Sequence, residues 1–311
     1  MSARAVTLIA VPYHLGREGA GMALGPDAYL EGGLPDALAA LGCEVRLARV
    51  EREGPFVDTP AAVADINARL ADIVAAALDD DRLPLIAGGN CNVALGAVAG
   101  LQQADAATGG GVQRGGRAPA GVVWCDAHGD FNTPETTPGG FFDGMPLAIL
   151  TGHCHRRVWS RLRRGRDELV GPIADELVVH VGGRDFDPGE RRAFEQSAVA
   201  LVSSQELIER GPEALDAPLA QLATRARAVY LHIDIDVLDP TTAGAVDFPA
   251  PDGLSFDDLA AVVDRVVTAT SLRVVSVTAY DPEHDDAAHR TRTLGTRLIA
   301  RVVERGLTCP T

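Results

Sequence analysis

The sequence lacks several features that would assign it to a broad class of protein. None of its apolar runs approaches the roughly 20 residues that a helix needs to cross a membrane. Its first residues do not have the layout of a signal peptide. Basic residues are outnumbered, since the net charge is -15, and no nucleic-acid or anionic-membrane partner is expected. The five cysteines show no paired spacing. We therefore expect a reduced, cytoplasmic protein with a small-molecule partner.

Apolar sequence, by contrast, is sufficient for a large core, because 46% of the 311 residues are hydrophobic. Short apolar runs such as 83–87 and 229–233 alternate with segments of helical periodicity, one of which is predicted to begin with Thr59 as its cap. The alternation predicts a single α/β domain over residues 1–311, with three α/β/α layers and a central, mainly parallel sheet. Residues 102–120, rich in Gly, Ala and Gln, are predicted to form a surface insertion loop.

Two of the apolar runs end in acidic side chains. Asp126, His128 and Asp130 follow the first run at positions i, i+2 and i+4, which places them on one side if the backbone stays extended. Asp234 and Asp236 end the second run. A single Asp-x-Asp after a strand is often only a turn or a helix cap, but a buried histidine between two acids would be costly without a cation. The pattern favours a pair of divalent cations at the carboxyl ends of two strands.

Four motifs occur in an order that resembles the ureohydrolase family, which includes arginase, agmatinase and formimidoylglutamase. They are the glycine loop from Pro12 to Pro26 and the runs 126–134, 183–190 and 234–240. The resemblance implies a single arginase-like domain with a binuclear manganese site at its strand ends. It also implies a homo-oligomer, commonly a trimer or a hexamer.

Metal-ligand roles follow from the same resemblance. Asp126 and Asp234 would bridge the two ions, Asp130 would complete the first site, and His128 with Asp236 would complete the second. Carboxylate oxygens with one imidazole suit manganese. The ions would hold hydroxide against an amidine carbon, and Asp130 is counted among the catalytic residues.

A cysteine stands at a position where the family has a histidine ligand of the first metal. This residue, Cys91, lies in the run 89–92 that follows the third predicted strand. It could bind the metal as a thiolate, in which case zinc or iron becomes possible at this site. It could instead be a small buried residue beside a weakened first site.

Substrate-binding positions are partly retained. The resemblance implies that Asn132 and Asp187 bind substrate, with Asp187 holding an amine, although an Asp before a proline is also a common turn residue. Gly139 and Phe141 stand where arginase-like members have the Ser and Asn that hold the substrate α-carboxylate.

Two further departures concern catalysis. Asp143 occupies the place of a histidine that moves protons, and Ala279 that of a glutamate that pairs with guanidinium. Glu283 or Asp285, a few residues beyond, could replace that glutamate. We therefore predict Asp143 and Glu283, together with Asp130, as catalytic residues.

Two functions remain open from the sequence. The first is a binuclear metallohydrolase that cleaves a C–N bond of a guanidino, amidino or formimidoyl compound, with N-hydroxy-arginine as a candidate substrate. The second is a non-catalytic protein with the same fold and a structural or regulatory role. Five retained ligands favour the enzyme, whereas the exchanges at Asp143 and Ala279 favour the alternative.

Overall fold

In the described part of the chain, eight strands pair in parallel and form one sheet. The structure is a computed structural model and describes residues 5–107, 120–163 and 170–308. In chain order the strands are β1 (Ala5–Val11), β2 (Glu44–Arg49), β3 (Leu83–Gly88), β4 (Ala120–Cys125), β5 (Val178–Val181), β6 (Ala200–Val202), β7 (Ala228–Asp234) and β8 (Leu272–Thr278). Their order across the sheet is β2-β1-β3-β8-β7-β4-β5-β6. The predicted parallel sheet is confirmed.

The same residues contain eleven α-helices, which cover both faces of the sheet. They are α1 (Gly25–Glu31), α2 (Leu34–Ala40), α3 (Thr59–Asp79), α4 (Val93–Ala107), α5 (Pro146–Leu150), α6 (Arg157–Leu162), α7 (Pro188–Gln196), α8 (Ser204–Arg210), α9 (Asp216–Arg225), α10 (Phe256–Ala269) and α11 (Arg290–Thr308). Side chains of α3 to α7 pack in one hydrophobic core, and those of α1, α2 and α8 to α11 pack in the other. The predicted three-layer α/β/α architecture is therefore confirmed.

The central strands are apolar on both sides because helices bury both faces. All seven residues of β7 are buried, as are all six of β3 and of β4. Continuous apolar runs of this kind are typical of parallel sheets. They explain why the sequence shows short unbroken hydrophobic segments in place of alternating ones.

Two local predictions were wrong. Helix α3 is capped by Asp58, whose side chain accepts a hydrogen bond from the amide of Ala61, and Thr59 is already helical. Residues 102–107 belong to helix α4 and are not part of a loop. The side chain of Gln102 is buried and bonds both ways with the backbone of Gly171. Ala120, the last residue of the predicted loop, begins β4, and residues 108–119 lie outside the described residues.

Four central strands reach the same edge of the sheet in register. Ile233 in β7 pairs with Cys125 on one side and Val277 on the other, and Val277 pairs with Ala87. The residues that follow these four therefore leave the sheet together, at the carboxyl ends of the strands, where open α/β sheets bind ligands.

Among the described residues, no helix combines the length and the apolar character needed to cross a membrane.

Candidate metal centre

A cavity of about 290 Å³ lies above this edge of the sheet. All the predicted site residues except Glu283 contribute to its lining, namely Cys91, Asp126, His128, Asp130, Asn132, Asp143, Asp187, Asp234 and Asp236. These residues come from four separate loops that follow strands β3, β4, β5 and β7. The parallel topology thus brings together side chains that are up to 145 positions apart, which no local sequence pattern could do.

The two predicted bridging carboxylates each present their oxygens in two directions. Asp126 accepts a hydrogen bond at Oδ1 from the amide of His128 and at Oδ2 from the indole of Trp124, at 2.7 and 3.0 Å. Asp234 accepts at Oδ1 from the amide of Asp236 and at Oδ2 from the thiol of Cys91, both at 2.8 Å. Because their two oxygens face different neighbours, both carboxylates can bridge two ions.

His128 lies between carboxylates. Its Nδ1 is 3.0 Å from Asp236 Oδ2 and 3.5 Å from Asp126 Oδ1. Burial by itself would lower the pKa of the imidazole, but Asp236 and Asp126 raise it to about 12. Burial would likewise raise the pKa of Asp236, whereas the adjacent imidazolium lowers it. The positive charge of His128 therefore stands among the carboxylates in the place that a cation would take.

Asp130 reaches the cavity in a different way from that predicted. Its φ is +49°, in the left-handed region, so the backbone does not remain extended from Asp126 onward. The extended backbone on which the predicted alternation depended is therefore not present here, although Asp126, His128 and Asp130 all line the cavity. Its side chain is buried, and within the described part of the chain Oδ2 has no hydrogen-bond partner.

Cys91 is buried beside the bridging carboxylates, and its thiol donates a hydrogen bond to Asp234 Oδ2 at 2.8 Å. Burial, together with the negative charge of Asp234, raises the pKa of the thiol well above its ordinary value. The metal-free side chain is therefore a neutral thiol, and it lies within reach of the ions that the carboxylates would bind.

These residues fit a pair of divalent cations. A buried carboxylate oxygen without a partner is unfavourable, and a cation would satisfy Asp130 Oδ2. Burial also raises the pKa of Asp126 to about 6 and that of Asp234 well above its usual range. Such a cluster of carboxylates is stable only when protons or metal ions neutralise it.

Asp143 is held at the cavity by an asparagine of the Cys91 segment. Asn92 Nδ2 donates a hydrogen bond to Asp143 Oδ1 at 2.7 Å, and both side chains are buried. Burial and the nearby charge of Asp126 raise the pKa of Asp143 to about 8. This carboxyl group can therefore carry a proton at neutral pH.

Asn132 and Asp187 are in contact, as their predicted common role requires. Asn132 Nδ2 donates to Asp187 Oδ2 at 3.0 Å, and Asn132 Oδ1 accepts from the hydroxyl of Thr136. Both residues line the cavity. They belong to the segments that follow β4 and β5, whereas Cys91 follows β3.

Glu283 does not belong to this cavity, and its predicted catalytic role is not supported by its position. Its side chain is exposed and accepts a hydrogen bond from the backbone amide of Gly21 at 3.0 Å. Asp285 accepts from the hydroxyl of Tyr280 and from amides at the start of α11. Neither carboxylate therefore lies where it could replace the glutamate that the resemblance implies at the position of Ala279.

Sequence reasoning missed Glu190. This buried residue accepts hydrogen bonds from the amides of Phe131 at 2.8 Å and Asp187 at 3.1 Å, so it joins the two loops that carry the substrate-binding candidates. Burial raises its pKa to about 7. A Glu three residues after a helix-capping Asp has the spacing of a capping box, and this signal could have identified it.

Sequence reasoning also missed His232, a fully buried residue of β7 that stacks on Trp124 with ring centroids 3.9 Å apart. Burial lowers its pKa to about 3, so the imidazole is neutral. The period of two along the strand places its side chain on the same face as Asp234, and this could have drawn attention to it.

Comparisons with known proteins agree with the fold. A family model described as the arginase family matches residues 4–304. An arginase from Neurospora crassa is 30% identical over 319 aligned positions, which cover 95% of this chain and 85% of that protein. The crystal structure of an arginase from Bacillus cereus has a TM-score of 0.83 at 26% identity, covering 96% of this chain and 98% of that one.

A structure of formimidoylglutamase from Bacillus subtilis covers 100% of this chain and 89% of that one, with a TM-score of 0.75. At 18% identity it shows a common fold alone. The family match extends over almost the whole chain, including every loop that lines the cavity. The chain belongs to the arginase family, whose members are hydrolases of C–N bonds in amidines and guanidines.

Proposed function

We propose that the protein is a binuclear-metal hydrolase that cleaves a C–N bond of a guanidino, amidino or formimidoyl compound. The observation that carries the proposal is the convergence of six candidate ligands on one cavity, namely Cys91 with the four acids and one imidazole of the two strand-end motifs. Two divalent ions bound there would lower the pKa of a water molecule and supply hydroxide at neutral pH.

The residues of the chain have distinct tasks in this proposal. Asp126 and Asp234 would hold both ions, since the two oxygens of each carboxylate face different neighbours. Asp130 and Cys91 complete the first position, and His128 with Asp236 the second. Asp143, fixed by Asn92, holds a proton near neutral pH and delivers it to the leaving amine.

The remaining charges of the cavity favour a cationic substrate. Its described lining contains no arginine, and His128 is its one basic side chain. The ligand carboxylates would neutralise the charge of two divalent ions. Other carboxylates, such as Asp187 and Asp247, would still face the cavity. Asp187, held by Asn132, is placed to receive an amine.

The part of the substrate that lies away from the metal ions would meet an aromatic surface and not the polar groups that bind an α-carboxylate. Phe141 and Phe248 lie against each other, with ring centroids 5.3 Å apart, and both line the cavity. Gly139 has no side chain to offer an α-carboxylate, and Ala279 has no carboxylate for a guanidinium. We therefore propose that arginine and agmatine are poor substrates and that a modified guanidine, with N-hydroxy-arginine as one candidate, is preferred.

We further propose that the ions are manganese, with zinc or iron as alternatives at the Cys91 position, and that the protein is a cytoplasmic homo-oligomer. Carboxylate and imidazole ligands suit manganese, whereas thiolate suits zinc and iron. A trimer or hexamer would show a mass near three or six times the 32.5 kDa chain by light scattering.

A panel of guanidino, amidino and formimidoyl compounds tests the function. Manganese-loaded protein is incubated with each compound, and urea, hydroxyurea, formamide and ammonia are measured. Asp234→Asn is the control, because loss of a bridging carboxylate lowers the affinity for both ions. We expect turnover of at least one modified compound, with loss of activity and of about half or more of the bound metal in the variant.

Two results would contradict parts of this proposal. Hydrolysis of arginine or agmatine at a rate ordinary for an enzyme, about 10 per second, would refute the proposed substrate preference. Full metal loading with no turnover of any compound would favour the alternative of a non-catalytic protein with a structural or regulatory role.

A further inference from the structure

A buried polar layer lies directly beneath the carboxylates of the cavity. His232 of β7 is fully buried, and so are Tyr230, Ser276 and Thr278 of the neighbouring positions in β7 and β8. In the proposed function this layer has no task. Both nitrogens of a buried imidazole, however, need a hydrogen-bond partner or a metal ion.

One nitrogen of His232 is firmly held. Its Nδ1 is 2.9 Å from the hydroxyl of Tyr230 and 3.0 Å from that of Ser276, and these two hydroxyls are 2.6 Å apart. Metal-binding histidines are oriented in this way, through a hydrogen bond at the nitrogen that does not bind the metal.

The other nitrogen is nearly unengaged. Within the described residues, the partner of His232 Nε2 is the hydroxyl of Thr278 at 3.5 Å, the outer limit of a hydrogen bond. Cys91 Sγ lies at the same distance from the same hydroxyl. Nε2 and Sγ are therefore both next to Thr278, on the side of the sheet that faces the bridging carboxylates.

A third candidate ligand atom, from Asp126, lies beside those of Cys91 and His232. Cys91, Asp126 and His232 each offer one ligand atom, and these atoms lie within 4.8 Å of one another. Trp124 joins two of them, because its ring stacks on His232 and its indole donates to Asp126 Oδ2. Ligands of a tetrahedral ion are roughly 3.5 Å apart, so a shift of about 1 Å closes the group around a cation.

We infer that His232 is a metal ligand, and that the first metal position of this chain is a mixed site of Cys91, Asp126 and His232. The inference rests on the proposed metal centre but not on its substrate or its rate. The thiolate and the carboxylate balance the charge of one divalent ion, and the imidazole is the third protein ligand. Asp234, which accepts a hydrogen bond from Cys91, and Asp130 would complete this position from the side of the cavity.

The donor set has a consequence for metal choice. One sulfur, one imidazole nitrogen and one carboxylate oxygen suit zinc, cobalt or iron better than manganese. His128 with Asp236 keeps the harder set of the second position. The two positions should therefore differ in metal preference, and one equivalent of zinc should occupy the Cys91 position first.

X-ray absorption at the zinc edge tests this inference without substrate. Metal-stripped protein is loaded with one equivalent of zinc, and the wild type is compared with His232→Gln and His128→Asn. Zinc in the wild type should show one sulfur at about 2.3 Å and one imidazole. The imidazole signal should persist in His128→Asn and vanish in His232→Gln, in which zinc affinity should fall at least tenfold.

Each other result overturns the inference. Loss of the imidazole signal in His128→Asn, or its persistence in His232→Gln, would place zinc at the second position. A zinc spectrum without sulfur would remove Cys91 from the site. If His232→Gln does not fold, the wild type and His128→Asn decide between the two positions by themselves. The proposed hydrolase activity survives any of these outcomes, because the substrate panel tests it with manganese.

Discussion

Metal loading should release protons, because the metal-free site keeps its ligands protonated. The thiol of Cys91 donates to Asp234, and its pKa is raised by burial. The pKa of His128 is raised to about 12 by Asp236 and Asp126. A metal ion displaces both protons, since thiolate and neutral imidazole are the binding forms. We therefore expect at least two protons to leave at pH 7, with further release from carboxylates of raised pKa.

The size of the pH dependence of metal binding follows from the number of protons that are released. Each proton released makes binding about tenfold tighter for each pH unit, so two protons change the combined loading free energy by about 2.7 kcal/mol per unit. Calorimetric titration with manganese in buffers of different ionisation enthalpy directly gives the number of protons released on binding. Cys91→Ser and His128→Asn should each lower it by about one. An unchanged proton count in Cys91→Ser would refute the idea that the thiol binds metal.

Two further predictions concern stability. In metal-free protein, burial raises the pKa of Glu190 from 4.5 to about 7. The stability that the protonated carboxyl group contributes is therefore fully present below pH 4.5 and is lost as the pH rises through 7. Glu190→Gln should therefore reduce the fall in unfolding free energy between pH 4.5 and 8 by about 3 kcal/mol, measured by urea denaturation; an unchanged fall would contradict the raised pKa. The guanidinium of Arg184 donates to the carbonyls of Asp236 and Ala250, both at 2.9 Å. Arg184→Met should cost about 2–4 kcal/mol, whereas Arg46→Met, which breaks an exposed ion pair with an aspartate, should cost less than about 1 kcal/mol; equal losses would show that the buried contacts add nothing.

The fold could be predicted from the sequence because its strongest signals are local. Short, largely apolar runs next to turn residues identify buried parallel strands, and β3, which ends at Gly88, follows this rule. Boundaries were less predictable, since Asp58 and Thr59 are both good helix caps and only the backbone geometry decides between them.

The clustering of the candidate ligands was predictable where they follow or end strands, as Asp126 follows β4 and Asp234 ends β7. It was less predictable where the chain turns. The left-handed conformation of Asp130 follows from the path of the loop and not from residue spacing. The contacts of His232 are also invisible in the sequence, because Cys91 lies 141 positions away and is brought near only by the pairing of β3, β8 and β7.

Two positions at which the resemblance predicts a departure from the family pattern, Asp143 and Cys91, are linked through neighbouring residues in space. Asp143 and the Cys91 run lie on different loops, yet Asn92 of that run donates directly to the buried Asp143 carboxylate. A buried acid without a partner would cost several kcal/mol, so an acid at position 143 requires a hydrogen-bond donor such as Asn92. Cys91, the neighbour of Asn92, is likewise matched by a hydrogen bond to Asp234. Such pairing is what we expect of a site adapted to a different substrate, and turnover in the substrate panel would distinguish it from a site that has lost catalysis.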